Sequence, residues 1–107
     1  MMLTLGSEIT MTIQLRRYEV EPGELERLVD WFPTIAAVRD KYGFKIEFAY
    51  ADTDNSEFIW AVSYPGDIDA FESAFATYNE SPERADAFDG YSSPVTQTHL
   101  SYVARAL

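Results

Sequence analysis

From Ile9 to Val20 apolar and polar positions alternate, with Met11, Ile13 and Leu15 on one parity and Thr12, Gln14, Arg16 and Tyr18 on the other. Strand side chains point to opposite faces in turn, so this pattern predicts a long first strand, ended by Glu21-Pro22-Gly23. The period then lengthens. Leu25, Leu28, Val29, Phe32, Ile35 and Ala36 recur at helical spacing and predict a helix from about Glu24 to Tyr42. Glu24 and Glu26 in its first turn and Arg39 and Lys41 in its last suit the helix dipole. Gly43 is a natural terminator. Pro33 lacks an N–H for the carbonyl of Val29, so a kink or break is expected near Trp31 to Pro33. Period two returns over Phe44 to Ala51, with Phe44, Ile46, Phe48 and Tyr50 expected on one face. It returns again over Glu57 to Tyr64, with Phe58, Trp60, Val62 and Tyr64 on one face. Asp52-Thr53-Asp54-Asn55-Ser56 is a turn of residues that bond their own backbone, which makes the two strands a hairpin. Its likeness to a calcium loop is slight, since the glycine at the sixth position and the distant glutamate are missing. Asp67 is placed to cap a second helix whose stripe is Ile68, Phe71, Ala74, Phe75 and Tyr78. Ser81 and Pro82 start a short third helix anchored by Phe88. Val95 to Val103 is the last strand.

The order strand, helix, strand, strand, helix, strand predicts an α+β, ferredoxin-like fold, with both helices on one face of a four-stranded antiparallel sheet. The other face is left bare. Both parities of the middle strands carry apolar residues, with Ala49, Ile59 and Ala61 in the weaker set. A wet antiparallel face would alternate with polar residues. The bare face therefore calls for a cover, and a second copy related by a two-fold axis is the simplest one. The expectation is a homodimer, a dimeric α/β barrel, with a partly polar cleft between the sheets.

The 107 residues suit one domain, 47% of them apolar and 15% aromatic. Residues 1–10 read as a loose extension ahead of a domain over 11–107. Eighteen acids against eight bases give a net charge of −10. That field disfavours nucleic acid and anionic membrane partners. No cysteine is present, which removes disulfides and thiol chemistry, and one histidine makes a dedicated zinc site unexpected. No apolar run approaches the ~20 residues of a membrane span. The first residues lack the basic region of a secretory leader, so a cytoplasmic setting is expected. No cofactor is implied.

Four stretches carry a resemblance to a known family. Ile13-Gln14-Leu15-Arg16-Arg17-Tyr18-Glu19-Val20-Glu21-Pro22-Gly23 resembles the opening of NIPSNAP-family proteins. Arg39-Asp40-Lys41-Tyr42-Gly43-Phe44, Phe58-Ile59-Trp60-Ala61-Val62-Ser63-Tyr64 and Tyr78-Asn79-Glu80-Ser81-Pro82-Glu83-Arg84-Ala85 resemble later stretches of the family in the same order. The resemblance spans about residues 12 to 103. It implies the dimeric α/β-barrel group, which also holds cofactor-independent monooxygenases, lactone isomerases and haem-handling enzymes. It implies no single reaction. Gln14 stands where the family often has an acid, and the last strand is poorly matched, so nothing is carried over to His99.

Candidate chemistry gathers on the first strand. Gln14, Arg16 and Tyr18 share a parity and could form a polar floor in the cleft, Arg16 holding an anionic or carbonyl oxygen and Tyr18 donating a hydrogen bond. The alternative is a surface arginine paired with one of the many acids. His99 titrates near neutrality when unperturbed and could move a proton. As a lone histidine it could equally be structural. Trp60 and Tyr64, with Phe48 and Tyr50, could stack on a flat ligand or simply fill the core or an interface. The acidic helix face of Glu24, Glu26 and Asp30 reads as a solvated one. Three functions stay open. One is binding of a small apolar or aromatic molecule. Another is cofactor-independent monooxygenase or isomerase chemistry with Arg16, Tyr18 and His99 as catalytic groups. The third is a non-catalytic homodimeric interaction module.

Overall fold

The structure is a computed structural model and describes residues 10–107. The expectation for Ile9, and that for the extension over 1–10 except at Thr10, fall on residues 1–9, outside the described ones. The elements are β1 (Met11–Val20), α1 (Leu25–Lys41), β2 (Lys45–Asp52), β3 (Glu57–Pro65), α2 (Ile68–Asn79), α3 (Pro82–Phe88) and β4 (Val95–Val103). The sheet order is β2-β3-β1-β4 and every neighbouring pair is antiparallel. This is the ferredoxin-like plan, with α3 as a short addition before β4. Among the described residues, no helix is long and apolar enough to cross a membrane.

Local signals act as their chemistry dictates. Asp67 Oδ1 accepts from the Ala70 N–H at 2.9 Å, and Ser81 Oγ accepts from the Arg84 N–H at 3.1 Å. Each satisfies a first-turn donor that has no partner inside its helix. Asp52 closes the β2–β3 turn by accepting from the Asn55 backbone at 3.1 Å and from its side-chain amide at 2.9 Å. Pro33 does not break α1, which runs through it without interruption.

The strand registers decide which residues face the helices. Tyr18 is opposite Phe58, Arg16 opposite Trp60 and Gln14 opposite Val62. Directly opposed residues share a face. Phe58, Trp60 and Val62 are buried in the core with Leu28, Ile35, Phe44, Phe71 and Tyr78. The Gln14–Arg16–Tyr18 parity therefore lies under the helices. Phe32 of α1 closes on both Phe58 and Trp60, with ring centroids at 4.9 and 5.0 Å.

One strand departs from simple alternation. A bulge between Ile46 and Phe48 shifts the register of β2 against β3, so Ile46 opposes Val62 but Phe48 opposes Ala61 and Tyr50 opposes Ile59. The extra residue, Glu47, reverses the parity of everything after it. Phe48 and Tyr50 thus leave the face of Phe44 and Ile46 and join the bare one, contrary to the expectation of a shared face. The bare face reads as rows across the sheet: Phe48-Ala61-Leu15-Ser101, Tyr50-Ile59-Arg17-His99 and Lys45-Ser63-Ile13-Val103. Its centre is apolar, and Tyr50 is 66% exposed.

Candidate ligand-binding cavity

A cavity of about 240 Å³ lies between the sheet and the three helices. Its floor is Arg16 and Tyr18 of β1, Trp60 of β3 and Val95 and Thr98 of β4. Its walls come from α1, α2 and α3, chiefly Trp31, Phe32, Arg39, Phe75, Arg84 and Phe88. The cleft is thus inside one chain, on the helix side of the sheet. It is not the space between two sheets that the strand pattern suggests.

Arg16 is held in place along its own strand. Its Nε donates to the Tyr18 hydroxyl at 2.8 Å and its Nη1 to Gln14 Oε1 at 2.6 Å. Residues two apart on a strand point the same way, which makes this fan possible. Gln14 is buried and orients Arg16 from the side without lining the cavity. The guanidinium also lies 5.3 Å from the Trp60 ring centroid. The alternative of a surface arginine paired with an acid is not what the fold forms, because both partners of Arg16 are neutral.

By sequence alone Arg39 is only a charge suited to a helix end. In the structure it is 2% exposed. Its guanidinium sits among four rings: Tyr78 at 4.3 Å, Phe44 at 4.8 Å, Phe75 at 5.2 Å and Trp60 at 5.3 Å. Ring faces attract a cation, and more strongly when water is excluded. Yet among the described residues the Arg39 Nε and Nη1 have no hydrogen-bond partner, nor does the buried Trp60 Nε1. Among the described residues no carboxylate pairs with Arg39. Desolvation by burial pushes this guanidinium down to about 10, with the Arg16 cation adding to the fall and Tyr78 opposing it. It is still a cation at neutral pH. The signal that could have singled it out is its place: position 39 extends the stripe of Leu28, Phe32 and Ile35 by one helical turn.

Arg84 completes a set of three lining arginines, stacked 4.4 Å over the Phe88 ring. Among the described residues no acid lines the cavity, although acids outnumber bases by 18 to 8 over the chain. The rim is pinned by Trp31. Its ring stacks on Tyr91 at 4.1 Å with 5° between planes, and its Nε1 donates to the Ala87 carbonyl at 2.9 Å. Beyond the rim, Glu83 ties α3 to the end of α1, accepting from Lys41 Nζ at 2.5 Å and from the Tyr42 hydroxyl at 2.6 Å. Those two bonds, Lys41 first, hold the Glu83 carboxyl down at about 2.

The remaining expected site residues lie elsewhere. His99 opposes Arg17 on the bare face of the sheet, where its Nε2 is 2.7 Å from Glu19 Oε2. A β-sheet separates it from Arg16 and Tyr18, so the structure does not bring the three together. Tyr64 packs on Phe44 at 5.0 Å and lies against Gly43, away from the cavity. Of the five residues expected to bind a substrate, Arg16, Tyr18 and Trp60 line the cavity, Gln14 braces it and Tyr64 does not reach it.

No family model matches the sequence, and no curated protein matches it. Solved structures do match in fold. A NIPSNAP family protein from Agrobacterium tumefaciens superposes with a TM-score of 0.77 at 11% identity, over 89% of this chain and 92% of that one. A NIPSNAP-like domain protein from Burkholderia xenovorans gives 0.74 at 16% identity, over 89% and 84%. An antibiotic biosynthesis monooxygenase-like protein from Nitrosomonas europaea gives 0.68 at 10% identity, over 92% and 93%. The chain therefore has the fold of the NIPSNAP proteins, a fold that monooxygenase-like proteins also use. At these identities the likeness is one of fold, and fold does not carry function.

Proposed function

We propose that this protein binds a small apolar or aromatic molecule in the cavity between its sheet and its helices, and works as a homodimer. The observation that carries the binding reading is the cavity itself: ring walls with Arg16, Arg39 and Arg84 converging on one space. A mostly apolar pocket with a few aimed polar groups is the usual form of a small-molecule site. An interior made only to support a dimer would be packed solid. The homodimer is supported by the bare face, where Met11, Phe48, Tyr50 and Val103 are all more than a third exposed. An apolar sheet face of this kind marks a contact surface.

A cofactor-independent monooxygenase or isomerase is a second reading. It is favoured by the shared fold of the monooxygenase-like proteins and by the Arg16–Tyr18 pair, which could polarise a carbonyl on the substrate. His99 is on the wrong side of the sheet to move its proton, so a base would have to come from the substrate itself.

Thermal melts in the presence of aromatic acids, quinones and haem test the binding reading. A ligand at ~100 times its Kd adds about 2.7 kcal/mol. For a domain of this size that is a rise of ~10–20 °C in Tm. Flat melting curves for every planar probe would overturn it. Sedimentation at micromolar concentration tests the dimer, and a monomer there would overturn that part.

A further inference from the structure

We infer that the cavity takes a monoanionic aromatic acid of one or two rings, whose carboxylate accepts from the unpartnered nitrogens of Arg39. This rests on the cavity being a ligand site and states what the ligand must carry. The unpartnered buried polar atoms among the cavity's lining residues are Arg39 Nε, Arg39 Nη1 and Trp60 Nε1. All three are donors. A buried polar group without a partner is rare, and a set of donors alone is matched by a group that only accepts. An ionised carboxylate is such a group, whereas an amide or an alcohol brings donors of its own.

Charge points the same way. Arg39 is 2% exposed and lies over ring faces, with Tyr78 also bonding it, yet its Nε and Nη1 are left without a partner among the described residues. Arg16 is bonded to neutral oxygens only, and Arg84 rests on a ring. Among the described residues the lining thus carries three cations and no anion, inside a chain of net charge −10. A cationic ligand would add to the repulsion already acting between Arg16 and Arg39. Size narrows the class further. The cavity, at about 240 Å³, falls below the ~300–1,000 Å³ of sites for drug-sized molecules, which favours one or two rings over a polycyclic system. The rings of Trp31, Phe32 and Phe88 supply the apolar walls such a molecule needs.

Calorimetry on the full chain with naphthoate and its neutral isostere naphthamide tests the assignment. A charge-assisted bond to a buried guanidinium should make naphthoate bind about 30-fold more tightly than naphthamide. In Arg39→Met, naphthoate should weaken by a similar factor while naphthamide stays within about 3-fold of its affinity for the unaltered protein. Equal affinities for the two probes in the unaltered protein would overturn the anion assignment and leave the cavity as a site for neutral molecules. Absence of binding by both would overturn the cavity reading and this inference with it. The comparison on the unaltered protein decides the matter even if the variant fails to fold.

Discussion

Replacing Arg39 by Met should make the ligand-free protein more stable. The two side chains are similar in length, and the site is lined by Phe44, Trp60, Phe75 and Tyr78. Two effects compete. Met gives up the attraction of the cation to the rings, which is about 2 kcal/mol at a desolvated site. It also removes a buried charge with two unmade hydrogen bonds, each costing roughly 1–3 kcal/mol. The depression of the guanidinium from its ordinary value to about 10, set chiefly by desolvation and net of the opposing Tyr78 and Tyr18, corresponds to about 3 kcal/mol against the charged form. Exchanging buried charges for well-packed apolar groups is commonly neutral or stabilising by ~1–4 kcal/mol. The expected net gain is therefore about 1–3 kcal/mol, a rise of ~5–20 °C in Tm. Urea titration of both proteins without added ligand measures it, with an unchanged slope as the check that the unfolding remains the same transition. A loss of more than about 1 kcal/mol would refute the reasoning, because it would make Arg39 a residue that holds the fold together.

Three other expectations follow from the same geometry. Ile59→Asp places a charge on the bare face, so sedimentation should show the proposed homodimer weakened by about 100-fold or more with helix content retained; an unchanged association would mean that the copies meet elsewhere. Glu83→Gln removes the acceptor shared by Lys41 and Tyr42, and its readout is pH. Because the folded carboxyl is held at about 2, its contribution is present above the ordinary glutamate range near 4.5 and fades as pH falls toward 2. Acid titration of Tm should lose part of its slope in that window in the variant, and parallel curves would count against the link. Trp31→Leu removes the stack on Tyr91 and the bond to Ala87, about 0.5–1.5 kcal/mol for the ring pair alone. Amide exchange should then quicken over α3 and the segment to β4, and equal protection in both proteins would show that the rim is held otherwise.

The architecture is legible in the sequence because local pattern and tertiary demand agree along most of the chain. Alternation in β1 and β3, the α1 stripe and the caps at Asp67 and Ser81 all act over a few residues, where the sequence is its own context. Pro33 is the exception, since α1 is not broken there but continues through it. Packing of the α1 stripe outweighs one missing hydrogen bond, because most of a helix's stability in a folded protein comes from burial of its apolar face. The functional side is harder to read. His99 and Arg16 look alike as candidates in sequence, each polar and each on a strand, and only the pairing of Arg17 with His99 separates them onto opposite faces.

What the sequence determined by itself was the order of elements, their approximate ends and the two parities of β1 and β3, since these depend on periods of 2 and 3.6 residues and on short-range capping. What only the tertiary structure decided was which parity faces the helices, the bulge at Glu47 that moves Phe48 and Tyr50 across the sheet, and the burial of Arg39. Each of these depends on residues far apart in the chain. A charge at a helix end is commonly a surface charge, and it becomes a buried cation awaiting an acceptor only when Phe44, Trp60, Phe75 and Tyr78 are folded around it.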